Sequence, residues 1–166
     1  MKKKNRFFKS LRFRILIILV ILGIVPSVIV TRMMIGNYEK QAVAVRAGAV
    51  SSQCSILCNQ IIKENYLNDP SSEAVNGKLE MLSNVYGGRI LIVDRDFKIV
   101  KDTYHVDEGK TLVSPKIIRS FKKGEPTDYQ RKGQVIEFAV PVRSADVPQI
   151  QGAMLVTISC SEITAT

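Results

Sequence analysis

At residues 15–35 the chain carries the stretch ILIILVILGIVPSVIVTRMMI, which holds no charged residue other than Arg32. A helix that crosses the hydrocarbon of a bilayer needs about 20 mostly apolar residues. Residues 15–35 meet that length, with Arg32 placed where its long side chain reaches the far interface. Pro26 is tolerated in a membrane helix, because neighbouring groups satisfy the carbonyl that it leaves unpaired. The sequence therefore predicts a transmembrane helix over residues 15–35.

The charges before this stretch indicate its direction in the membrane. Residues 1–14 contain seven of the 24 Lys and Arg residues and no Asp or Glu. Positive residues stay on the cytoplasmic side of a membrane helix. We therefore expect a cell-membrane protein with a cytoplasmic basic tail over residues 1–14 and a mainly extracytoplasmic part over residues 36–166.

A cleaved signal peptide is the alternative interpretation, and a buried core helix is another. A signal peptide is followed closely by a small-residue cleavage site. Here Thr31-Arg32-Met33-Met34 follows, and the nearest Ala-x-Ala, Ala42-Val43-Ala44, lies well downstream. The sequence favours an uncleaved anchor.

The net charge of +9 comes mostly from the tail. The other 17 Lys and Arg residues nearly balance the 15 Asp and Glu residues. A nucleic-acid-binding domain needs a basic patch of its own. We therefore expect a membrane partner and no nucleic acid, and the tail can also touch anionic lipid.

No catalytic set, cofactor site or metal site is predicted. His105 is the only histidine, so a catalytic triad or a zinc site is nearly excluded. Gly87-Gly88 precedes a strand rather than a helix, which argues against a nucleotide loop. Three cysteines, Cys54, Cys58 and Cys160, make a poor disulfide framework. Cys54 and Cys58 have a helix-face spacing that suits a metal pair, but small buried apolar residues are the favoured interpretation of these two.

Residues 36–66 predict one long helix. Its apolar stripe alternates steps of four and three residues and comprises Val43, Ala47, Val50, Cys54, Leu57 and Ile61. A second, weaker face comprises Ala42, Val45, Ala49, Ser52 and Ile56. Two such faces suggest that one packs on its own domain and the other on a second subunit. We therefore expect a homodimer through the long helix and the membrane helix; a single broad core face is the alternative.

Two shorter helices are predicted next. Asp69 is expected to cap a helix that begins at Pro70 and is stopped by Gly87-Gly88. Ser114 is expected to cap a short helix that begins at Pro115.

Five strands complete the pattern. They are predicted at residues 89–94, 97–102, 127–131, 134–142 and 152–159, with loops at 103–112 and 143–151. Pro141 cannot donate to a strand ladder, so we expect it at an edge or a bulge.

Three of these strand segments have a recognisable sequence. They are GGRILIVDRDFKIVKDT at residues 87–103, GQVIEFAVPV at residues 133–142 and GAMLVTIS at residues 152–159. In this order, behind a membrane helix, they resemble the extracytoplasmic PAS-like (Cache-type) sensor domain of bacterial sensor histidine kinases.

The resemblance implies an α+β fold over residues 36–163, a PAS-like five-stranded antiparallel sheet with flanking helices. The long helix would pack on one face, and the other face and its loops would form a ligand pocket. A second membrane helix and a cytoplasmic kinase would follow in such proteins. We expect residues 164–166 to be the start of that second membrane segment.

Candidate ligand contacts follow the second predicted strand: Tyr104, His105, Tyr129 and Arg143. An arginine fork suits a carboxylate or phosphate, and aromatic rings can line a pocket. Ordinary solvated loop residues are the alternative.

The favoured function is the signal-sensing and membrane-anchoring part of a two-component sensor histidine kinase, with a small-molecule ligand. A single-pass anchored interaction protein without a kinase is one alternative, and an exported soluble binding protein is another. The sensor part of a chemoreceptor or of a cyclic-nucleotide synthase fits the same domain.

Overall fold

The computed structural model describes residues 11–144 and 147–160. These residues form three helices and one sheet: α1 (Leu11–Lys63), α2 (Glu73–Val85), β1 (Gly88–Asp94), β2 (Ile99–Asp102), α3 (Pro115–Lys123), β3 (Gln130–Lys132), β4 (Val135–Ser144) and β5 (Val147–Ser159). The sheet is antiparallel with strand order β2-β1-β5-β4-β3. The predicted α+β fold with a five-stranded antiparallel sheet is confirmed. Most of the basic tail and residues 164–166 lie outside the described residues.

The chain divides into two compact units, residues 1–41 and residues 42–166. In the first unit, α1 contains a span of 22 residues, Phe13–Met34, that is long and apolar enough to cross a membrane. None of the side chains in its apolar window is buried within the protein. Pro26 lies inside α1 without ending it. The helices predicted over residues 15–35 and 36–66 form one continuous helix that ends at Lys63, because neither Pro26 nor Gly36 interrupts it.

In the second unit, the main core lies between the helices and one face of the sheet. The whole predicted stripe of α1, from Val43 to Ile61, is buried there. It packs with Val75, Leu79 and Leu82 of α2 and with alternate residues of β1, β4 and β5. The period of two along each strand places these strand residues on one face. The predicted helix–sheet packing is therefore present.

A smaller core covers the opposite face of the sheet. It contains Leu91, Val93, Ile99, Ala139, Ala153 and Leu155 from the strands and Ile117 from α3. As predicted, Ser114 caps α3 by accepting a hydrogen bond from the Lys116 amide (3.4 Å), and the helix ends at Gly124 in the left-handed conformation (φ +67°). The α3 helix thus occupies part of the face that the resemblance assigns to a ligand.

The expected start of the second helix is wrong by three residues. Ser72 is its N-cap and accepts a hydrogen bond from the Val75 amide at 3.4 Å. Asp69 instead accepts a hydrogen bond from the Ser71 amide at 3.3 Å. An Asp side chain that bonds to its own local backbone closes a turn and competes with helix formation.

The expected loop over residues 143–151 is also wrong, because the last hairpin is longer. Ser144 pairs with Val147, so β4 and β5 extend well past the end of β1, where Asp94 pairs with Gly152. Pro148 is compatible with this extension because β5 has only one neighbouring strand there. The prediction that Pro141 lies at an edge is confirmed. In the described residues β3 pairs only with residues 135–137 of β4, so the side of β4 that faces away from β5 has no paired strand at Pro141.

Candidate functional site

The four candidate ligand contacts lie in three places. Tyr104 and His105 lie side by side in the loop that follows β2, and Tyr129 directly precedes β3. Since β2 and β3 are the two opposite edges of the sheet, Tyr129 is separated from the first pair. Arg143 lies near the C-terminal end of β4. The structure brings Tyr104 and His105 together, and the ligand role of all four residues stays a prediction.

The best-formed polar centre joins β1 to the loop after β2. Arg89 donates from Nε to Asp102 Oδ1 at 2.9 Å and from Nη2 to Asp102 Oδ2 at 2.6 Å. The Asp102 side chain is fully buried. It also accepts hydrogen bonds from the backbone amides of Tyr104, Val106 and Asp107 at 2.9 to 3.0 Å. Burial alone would raise the pKa of Asp102, but the Arg89 hydrogen bonds and the three amides outweigh it and hold the pKa far below its usual range.

Further charges fix the same loop. Asp107 accepts from Lys110 Nζ at 2.7 Å and from Arg89 Nη2 at 2.6 Å, and these bonds lower its pKa. Glu108 lies 3.1 Å from Lys101 Nζ and 3.2 Å from His105 Nδ1. The loop is therefore held from several sides rather than by its backbone alone.

Tyr104 and His105 both belong to this network around Arg89, Asp102 and Glu108. Tyr104 is 55% exposed, and its ring centroid lies 5.6 Å from the Arg89 guanidinium carbon, a cation–π distance. His105 has a left-handed backbone (φ +55°) and contacts Glu108 with its ring. Tyr104 thus presents an open aromatic face above a fixed cation.

A row of polar residues crosses the sheet on the face that α3 partly covers. Arg89 of β1 pairs with Thr157 of β5, which pairs with Glu137 of β4. Lys116 of α3 donates to the Glu137 carboxylate at 2.9 Å and to its backbone carbonyl at 2.8 Å. Lys132 Nζ lies 3.1 Å from the same carboxylate. Burial would raise the pKa of Glu137, and the two lysines lower it overall.

The sequence contains a signal for this row that no recognised motif includes. Arg89 and Glu137 are charged residues inside apolar strands, in phase with Leu91 and Ala139 of the smaller core. A charge at such a position must find a partner on the covered face. The partners, Asp102 and Lys116, lie 13 and 21 residues away in other elements, so no short motif reveals them.

The row contains positively and negatively charged hydrogen-bonding groups beside the exposed ring of Tyr104. Within residues 11–144 and 147–160, no three His, Cys, Asp or Glu residues are grouped to hold a metal ion. These groups can form hydrogen bonds and ion pairs with a small polar molecule.

No protein-family model matches the sequence, and no curated protein matches it. Solved structures with a similar fold do exist. An extracellular ligand binding receptor from Desulfohalobium retbaense matches with a TM-score of 0.53 and 18% identity, over 77% of this chain and 25% of the receptor chain. The sensor domain of the histidine kinase DctB from V. cholerae matches with a TM-score of 0.50 and 17% identity, over 80% of this chain and 58% of that domain chain.

The present chain thus spans a quarter of the first structure and somewhat more than half of the second. At these identities the likeness is one of fold. The predicted resemblance is confirmed at that level: the chain has the fold of extracellular sensor domains, preceded by an apolar helix.

Proposed function

We propose that this chain is the membrane-anchoring and signal-sensing part of a two-component sensor histidine kinase. The observation that carries the proposal is that one helix, α1, supplies both the apolar span Phe13–Met34 and the buried stripe of a domain with a sensor fold. The similarity in fold to the DctB sensor domain supports the kinase context.

The proposed orientation rests on the basic tail. Residues 1–14, at the N-terminal end of the span, contain seven Lys and Arg residues and no acid, which favours a cytoplasmic N-terminus and an extracytoplasmic domain. Ligand binding would then occur outside the cell. A small displacement of α1 would carry the signal through the membrane.

The proposed assembly is a homodimer through α1. Between residues 42 and 62 this helix carries a single charged residue, Arg46, and that side chain stacks over Tyr86 (5.8 Å to the ring centroid). The opposite side of the helix is exposed and uncharged, with Val45 72% and Ile56 69% exposed. We call this surface the outer face of α1; it comprises Ala44, Val45, Gly48, Ala49, Ser52, Gln53, Ile56 and Asn59.

A second copy of the chain is the proposed partner for the outer face. A neutral face can meet its own copy across a two-fold axis without like charges in opposition. Its small residues allow two helices to approach closely. Beside it, a groove of about 180 Å³ between Ile56 of α1 and Met81 of α2 can accept an apolar side chain.

The proposed ligand site is the polar row of Arg89, Thr157 and Glu137 with the residues at its margins. Tyr104 supplies an aromatic face beside Arg89. His105, Tyr129 and Arg143 remain proposed contacts. An anionic or zwitterionic small molecule fits donors of this kind.

The experiment that tests the kinase context is to determine the source DNA that follows the codon for Thr166. The proposal expects an open frame through about 20 apolar residues, then a histidine-bearing helical segment and a nucleotide-binding domain. A different output module would favour a chemoreceptor or a nucleotide cyclase. A stop codon would overturn the kinase assignment and favour a single-pass anchored binding protein.

A further inference from the structure

We infer that the domain has a second binding site, for a small organic ammonium compound, in a cavity where the end of α1 meets the β1–β2 turn. The cavity has a volume of about 360 Å³, within the usual range for small-molecule sites. It is separate from the polar row, and the inference does not depend on the proposed function.

The apolar wall of the cavity comes from the end of α1 and the turn that follows it. Ile61, Ile62 and Leu67 line this side. Leu67 lies directly over Gly152 of β5, where an added Cβ would come 3.3 Å from Leu67 Cδ1 and 2.4 Å from the Val93 carbonyl. The absence of a side chain at Gly152 therefore lets Leu67 reach the sheet and form the wall.

The polar wall consists of carboxylates and amides. It comprises Asn65, Asn68, Asp94, Arg95, Asp96 and Gln151. Asn68 Nδ2 donates to Asn65 Oδ1 at 2.6 Å, which leaves the Asn68 carbonyl oxygen available. Asp94 Oδ1 accepts from the amides of Asp96 and Lys98, both at 2.9 Å, which leaves Oδ2 available.

Two further acceptors complete this wall. Within the described part of the chain, the side chains of Asp96 and Gln151 make no hydrogen bond. The one cation of the wall, Arg95, is directed elsewhere: its Nε donates to the Ile150 carbonyl at 2.8 Å and its Nη2 to Gln149 Oε1 at 3.3 Å. The uncommitted oxygen atoms thus belong to two carboxylates, Asp94 and Asp96, and to the side-chain amides of Asn68 and Gln151.

An ammonium group matches this set, because it carries a positive charge and three donors. A bare metal ion matches it poorly. A calcium ion takes six to eight oxygen ligands, whereas the wall has two carboxylates and a facing apolar side. A short alkyl chain on the ammonium would pack against Ile62 and Leu67. The expected ligand is therefore an alkylammonium compound rather than a metal ion.

The test uses the full chain, labelled with ¹⁵N in detergent micelles, and n-butylamine as the probe. We expect saturable shifts of the side-chain amide signals of Asn65, Asn68 and Gln151. Asp96→Asn should weaken binding about tenfold, since it removes a charge-assisted hydrogen bond. Gln151→Met should weaken it less. Asp128→Asn, at another exposed acid, is the matched control and should leave binding unchanged.

Three outcomes would overturn the inference. One is the absence of saturable shifts in a chain whose spectrum shows it folded. Another is equal binding by the Asp96→Asn variant and the original chain. The third is that calcium chloride, and not n-butylamine, produces the shifts, which would identify a metal site instead.

Discussion

Arg89 donates a hydrogen bond to each carboxylate oxygen of the fully buried Asp102, from Nε to Oδ1 at 2.9 Å and from Nη2 to Oδ2 at 2.6 Å. Arg89 belongs to β1, whereas Asp102 ends β2 and accepts three amides of the following loop. This pair therefore fixes the position of that loop, and of Tyr104, on the proposed ligand face.

Replacement of Asp102 by Asn should destabilise the domain strongly. The variant removes the charge of the fully buried partner of Arg89, which then keeps Asp107 as its ionic partner. Losing a hydrogen-bond partner of this charged kind costs about 1.5 to 3 kcal/mol. Urea unfolding followed by tyrosine fluorescence measures the change. Asp128→Asn is the control and should change the free energy of unfolding by less than about 0.5 kcal/mol. A similar small effect for both variants would show that the pair does not support the fold.

The same carboxylate should make stability depend on acidic pH. The pKa of Asp102 is lowered in the folded chain, so its contribution is complete above the unfolded value of about 3.9. That contribution is lost as the pH falls towards the folded value. The free energy of unfolding should therefore decline below about pH 4, and less steeply for Asp102→Asn. Parallel declines for the two proteins would contradict this assignment.

Two glycine substitutions should have opposite effects. An alanine at Gly152 would place its Cβ 2.4 Å from the Val93 carbonyl, so Gly152→Ala should destabilise the β1–β5 pairing. Gly77 lies within α2 with open space around it, so Gly77→Ala should stabilise the domain by about 0.5 to 1 kcal/mol. Thermal unfolding of both variants measures the contrast. Equal changes in melting temperature would show that the close approach at Gly152 is relieved without cost.

The cysteines should be unreactive in the folded domain. Burial raises the pKa of Cys54 to about 12 and raises that of Cys58 as well, and Cys160 is also buried. The thiolate is the reactive form. Iodoacetamide at pH 8 should therefore modify these thiols only after unfolding, as measured by intact mass. Rapid modification of Cys54 or Cys58 under native conditions would contradict the burial of this part of α1.

The outer face of α1 should control the oligomeric state. Ile56→Glu places a charge at the centre of the proposed interface, opposite its own copy. We expect the dissociation constant of the dimer to rise at least about tenfold, since like charges oppose each other. Ser71→Glu adds the same charge in an exposed turn and is the control. Sedimentation in detergent measures both, and an unchanged dissociation constant for Ile56→Glu would exclude this face as the interface.

The helix α1 should also be the route of the signal. A proline–glycine pair at Val45-Arg46 would break the helix between the apolar span and most of the buried stripe. In a protein with an output module, this change should uncouple output from stimulus. Unchanged output in a folded variant would show that the signal takes another route.

Periodic apolar patterns predicted most of the fold. The stripe from Val43 to Ile61 and the alternation around Phe138 define buried faces directly, because the helix or strand period alone decides which residues share a face. The start of α2 and the length of the last hairpin were mispredicted. Asp69 closes a local turn instead of capping the helix. Pro148 is typical of a turn, but the pairing of β4 with β5 keeps it inside the hairpin.

The polar centre was harder to predict. The sequence predicts Tyr104 and His105 as ligand contacts, but it does not predict the pairing of Arg89 with Asp102. Their contact depends on the register between β1 and β2, which is shifted by a bulge after Ile92. Such a register follows from the packed sheet and has no local marker in the sequence.

The central claim, a membrane-anchored chain with its sensor fold outside the cell, is tested most directly by labelling with a membrane-impermeant maleimide. Single cysteines are introduced by Lys4→Cys in the tail and by Asn84→Cys at an exposed position of α2, and the native buried thiols serve as the background. In intact spheroplasts we predict labelling of the Asn84→Cys variant, and labelling of the Lys4→Cys variant only after lysis. Labelling of Lys4→Cys in intact spheroplasts, with Asn84→Cys protected until lysis, would contradict the account.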